Sequence, residues 1–72
     1  MSADKLVYMA NQIGKFFAHQ GEVQGAQATA THLKKFWDPR MRSAIIAHLD
    51  AGGSGLDPLV HRAVASLRET AN

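Results

Sequence analysis

Both prolines of this chain, Pro39 and Pro58, directly follow an aspartate, and that pairing fixes where two helices must begin. Proline arrives with a near-helical φ and lacks only an N–H that the first helical turn leaves unbonded. The aspartate before it stands at the N-cap, where its carboxylate can accept from free N–H groups of the next turn. Asp38-Pro39 therefore reads as a corner between two helices, and Asp57-Pro58 as the start of a further one. WDPRMRSAIIAHL (37–49) and LDPLVHRAVASL (56–67) align at the Asp-Pro step, then at Ala44 with Ala63 and Ile45 with Val64. Two copies are one helix-start grammar used twice, not a repeat protein.

Apolar spacing fills in the rest. A first helix is expected over about residues 3–18, with Ser2 as N-cap and Asp4 in the first turn. Leu6, Met9, Ala10, Ile13, Phe16 and Phe17 fall on one stripe about 120° wide, taken as its inward face. Gly14 weakens this helix and leaves room for a close neighbour. After a break at Gln20-Gly21, a second helix over about 22–37 carries Val23, Ala26, Ala30, Leu33 and Trp37 on a narrow stripe. The third, about 39–51, turns Met41, Ala44, Ile45, His48 and Leu49 inward and stops at Gly52-Gly53. The fourth, about 58–69, buries Val60, Ala63, Val64 and Leu67. The short connections imply an all-α fold, a small irregular bundle of about four short helices forming a single domain over 1–72.

Size limits what such a bundle can do. At 72 residues the core is marginal without a partner or a staple. No cysteine is present, which removes disulfides, thiolate nucleophiles and iron–sulfur ligation, and fits a reducing, cytoplasmic setting. No apolar run approaches the ~20 residues of a membrane span, and the first residues have no export-signal pattern. Eight Lys or Arg against six Asp or Glu leave a net charge of +2, too little to argue for nucleic acid alone.

Chemistry finds little purchase. AGGSG (51–55) lacks the Gly-Lys-Ser/Thr of a phosphate loop and is followed by Asp57-Pro58, so it reads as a helix stop and a flexible link. Histidines at 19, 32, 48 and 61 have no shared-face spacing for a metal. His48 lies on the inward stripe and reads as half-buried, bonded to a backbone carbonyl; the other three read as exposed. Asp4, Asp38 and Asp57 are helix starters, and no serine or threonine has a base beside it. No catalytic, cofactor-binding or metal-ligating residue is expected.

The stretch HLKKFWDPRMR (32–42) is different, because it holds four permanent cations and two adjacent aromatics in eleven residues. Lys34 and Lys35 in a last helical turn would oppose the negative end of the dipole, the plain reading of a solvated helix end. Phe36 and Trp37 lie about 100° apart on a wheel, so both cannot face one narrow core. An aromatic left half exposed and framed by arginine is an interface anchor. Lys34, Lys35, Phe36, Trp37, Arg40 and Arg42 are therefore taken as a docking surface, with Ile46, which is off its helix's stripe. Nucleic acid fits less well: the cluster is short and Asp38 interrupts it.

With MANQIGKFF (9–17) before it and HLDAGGSGLDPLV (48–60) after it, this stretch resembles the small delta subunit of cytoplasmic, molybdenum-containing, NAD-dependent formate dehydrogenases. The similarity runs from about Asp4 to Leu67. It implies a non-catalytic companion bound to the large molybdenum-binding subunit, supporting assembly or stability of the complex. The molybdenum cofactor, iron–sulfur clusters, FMN and NAD would then lie on other subunits, with none held by this chain. A dissociable maturation factor acting during cofactor insertion is the alternative.

Overall fold

Ser2 opens the first helix through its hydroxyl, which accepts from the Lys5 backbone N–H at 3.3 Å. That helix, α1, spans Ala3–Phe17 and runs into a single 3-10 turn, Ala18–Gln20. The remaining helices are α2 (Glu22–Phe36), α3 (Pro39–Asp50) and α4 (Pro58–Thr70). A computed structural model describes residues 2–70, and the fold is the expected all-α bundle, with no strand among the described residues. Each break has a local cause. Gly21 takes φ +92° between the 3-10 turn and α2, a conformation that side chains disfavour. Trp37 leaves α2 in extended backbone and is thus the cap of α2 rather than its last turn.

Helix α4 is the keystone of the packing. Val60, Ala63 and Val64 are completely buried and Leu67 nearly so, all four residues expected there. Around them close Leu6 and Ala10 from α1, Ala26 and Leu33 from α2, Ile45 and Leu49 from α3, and Trp37 from the corner. Two glycines make this approach possible. A Cβ on Gly14 would collide with a Val60 methyl group, and one on Gly25 would stand 2.8 Å from both the Leu59 side chain and the Phe17 carbonyl oxygen. The close approach suggested by Gly14 is realised, against α4.

That approach also turns two helices away from their expected faces. The buried line of α1 is Leu6, Ala10 and Gly14, so Met9 and Phe16, expected inside, lie outside; Phe16 is 72% exposed. On α2 the buried line runs through Gly25, Ala26, Thr29 and Leu33, and Val23 is exposed. Small residues set that line, because they let α4 and α1 come near. The Thr29 hydroxyl is satisfied inside by donating to the Gly25 carbonyl at 2.8 Å.

The glycine-rich connection is a tied loop, which corrects the expectation of a flexible link. Gly52 and Gly53 both have positive φ, and the Gly53 N–H donates back to the His48 carbonyl at 2.9 Å, ending α3. His48 Nε2 donates to the Ser54 carbonyl at 2.7 Å, the carbonyl bond expected of it. Asn11 of α1 then clasps the far end: its amide donates to the Gly55 carbonyl at 2.9 Å and accepts from the Asp57 N–H at 3.0 Å. Asn11 lies off the apolar stripe, and nothing in its spacing announces this role.

Candidate functional site

The Asp38-Pro39 corner is built as its residues dictate. Asp38 Oδ1 accepts from the Met41 N–H at 2.8 Å, capping α3. Of the two adjacent rings, Trp37 is 5% exposed and Phe36 71%. Trp37 therefore belongs to the core, not to a docking surface: leaving the helix at this residue turns its ring into the buried cluster that also holds Leu33 and Ile45. Arg42 has a structural use as well. It is half-buried, and its guanidinium donates to the carbonyls of Lys34, at 3.2 Å, and Trp37. Those are carbonyls that the end of α2 leaves unbonded, so Arg42 clamps α2 to α3 across the corner. Ile46 is half-buried against the core. With Lys34, Pro39, Arg42, Ser43 and Leu67 it lines a groove of about 310 Å³.

The residues expected to form one docking surface lie on two faces of α2. Lys34 and Phe36, two residues apart, project about 160° apart around α2. Lys34 faces the groove shared with α3 and α4, while Phe36 faces the seam with α1. There its ring lies 4.7 Å from His32, His32 lies 6.2 Å from Phe17, and Phe17 stands edge-on to Phe16 at 5.0 Å. Four rings form one row across the α1–α2 seam. Beside them a groove of about 360 Å³ is lined by Gln12, Ile13, Phe16, Phe17 and His32. His32, expected to be exposed, is half-buried in this row.

The row is hidden in the sequence because Phe16 completes a broad apolar stripe. Yet Phe16 is two residues from Gly14, about 160° around the helix. Once Gly14 marks the close approach of a neighbour, Phe16 must face away from it.

Charge is distributed unevenly over these surfaces. Three carboxylates are taken up internally: Asp57 with Lys15 at 3.6 Å, Glu22 with Arg62 at 3.1 Å and Asp50 with Arg68 at 2.5 Å. A fourth, Asp38, is occupied as a cap. Lys5, Lys34, Lys35 and Arg40 make no ion pair among the described residues. Three of those four cluster within residues 34–40, and Arg42, bonded to carbonyls rather than to a carboxylate, adjoins them, so the corner carries most of the positive charge that no described carboxylate pairs. No three His, Asp or Glu side chains converge as metal ligands among the described residues, and no described helix is long and apolar enough to cross a membrane.

Compared with known proteins, residues 5–64 match the family model described as the NADH-dependent formate dehydrogenase delta subunit FdsD. No curated protein matches the chain, and no solved structure does.

Proposed function

Because the chain belongs to the formate dehydrogenase delta-subunit family, we infer that it is a non-catalytic subunit that binds the large molybdenum-binding subunit and supports the assembly or stability of the complex. The observation that carries this reading is the outward position of Phe16 and Phe36, 72% and 71% exposed on a molecule with so little core to spare. Burying either ring would stabilise the chain by about 1.5–3 kcal/mol, so their place in water is explained by a partner that covers them. The donor set points the same way. With no cysteine in the sequence, the chain offers no thiolate to an iron–sulfur cluster. On this reading the molybdenum, flavin and nicotinamide chemistry would belong to the other subunits.

The mechanism is mass action. A companion that binds the folded, loaded large subunit more tightly than the empty one shifts the population by that difference in affinity. The test is a pull-down from the native host at moderate salt with the tagged chain, followed by protein identification. Recovery of active formate dehydrogenase at fixed stoichiometry is expected. Recovery of cofactor-free large subunit alone would replace the permanent subunit by a maturation factor, and recovery of no dehydrogenase subunit would refute both.

A further inference from the structure

We propose that the ring row at the α1–α2 seam, with Lys35 beside it, seats an apolar segment of the partner polypeptide that is flanked by carboxylates. This rests on the accessory-subunit reading above and assigns both the docking face and the chemistry of what it receives.

Three observations converge on that occupant. First, the row is continuous and open: Phe16 and Phe36 are its exposed ends, Phe17 and His32 its half-buried middle. The adjoining groove of about 360 Å³ is walled by Ile13, Phe16, Phe17 and His32, with Gln12 at its side, a lining suited to one or two aliphatic or aromatic side chains. Second, its charged border is positive. Lys35 lies about 60° around α2 from His32, makes no ion pair among the described residues, and no carboxylate lines the groove. Carboxylates beside the incoming apolar group would meet that cation and be steered to it.

Third, the competing occupants fit worse. A second copy of this chain has little acid to offer, since Glu22, Asp50 and Asp57 are ion-paired and Asp38 is bonded as a cap. Only Asp4 and Glu69 are left, single residues on separate helices. Nucleic acid requires open ring faces for base stacking. Here Phe16 and Phe17 meet at 85°, Phe17 and His32 at 60° and His32 and Phe36 at 41°, so successive rings do not present the parallel faces that a run of stacked bases needs.

The experiment uses the full chain and the large subunit purified from a strain lacking this chain. Affinity is measured for the parent, for F16S/F36S and for a control, V23S, whose exposed side chain lies outside the row. The parent complex is then treated with a zero-length carbodiimide, which joins lysine amines to carboxylates in direct contact. Expected are a loss of about tenfold or more in affinity for F16S/F36S, no loss for V23S, and cross-links from Lys35 to an Asp or Glu next to apolar residues of the large subunit. Equal binding by parent and F16S/F36S overturns this docking face while leaving the subunit assignment standing. Absence of binding by the parent overturns the subunit assignment, and this proposal with it. Concentration-dependent dimerisation of the parent abolished in F16S/F36S, or retention of RNA or DNA lost in that variant, overturns the choice of occupant.

Discussion

Single residues carry more than their types suggest. Arg42 looks like one more cation in a basic cluster, yet it spends its guanidinium on the last carbonyls of α2. Arg42→Met keeps the stem and removes the donors, so thermal or urea unfolding should show a loss of about 1.5–3 kcal/mol. Trp37→Ala should cost about 3–5 kcal/mol, as much as such a domain has to lose; an unchanged melting curve would place the ring outside. Asn11 is the third case. Asn11→Ala removes both bonds to the loop before α4 and should destabilise by about 1–3 kcal/mol, with amide exchange at Asp57 accelerated well beyond the rest. The choice between Phe36 and Trp37 could not be made from spacing, because it depends on where the chain leaves α2. Asn11 was illegible because its partners are 44 and 46 residues away.

Between elements, the decisive contacts are made by the smallest side chains. Gly14 and Gly25 are notches into which Val60 and Leu59 of α4 fit. Gly25→Ala would press a methyl against the Phe17 carbonyl oxygen and Leu59 together. Helix propensity favours alanine by about 1 kcal/mol, but overpacking of this kind costs about 1–3 kcal/mol. Net destabilisation is expected, measurable as a lower melting temperature; a gain in stability would show that α4 can step back. The helices themselves were plain in the sequence, since Asp-Pro steps, capping residues and glycine stops are local signals. Which face each helix turns inward was plain for α4, whose apolar residues are few and on one side. For α1 it was not: a hydrophobic scale scores Phe16 above Gly14, although the glycine is buried and the phenylalanine is not.

For the molecule as a whole, stability and adhesion come from different residues. The three ion pairs are surface pairs, worth little individually, and the buried set around α4 holds the bundle together. Replacing Lys34, Lys35 and Arg40 by serine, while sparing Arg42, should leave helical content intact and weaken assembly with the large subunit, most visibly at low salt. Unchanged copurification would remove charge from the docking account. The basic corner was legible because it is contiguous in the chain. Its division into two faces was not, and neither was the ring row that joins residues 16 and 17 to 32 and 36. One consequence follows from the glycine notches. The helix that fills them is the last of the four along the chain, so the sockets on α1 and α2 stay vacant until it joins them. Without α4, the buried side chains of Leu6, Leu33 and Ile45 would have little to close over, so a polypeptide cut before Pro58 should fail to keep the other three rods together.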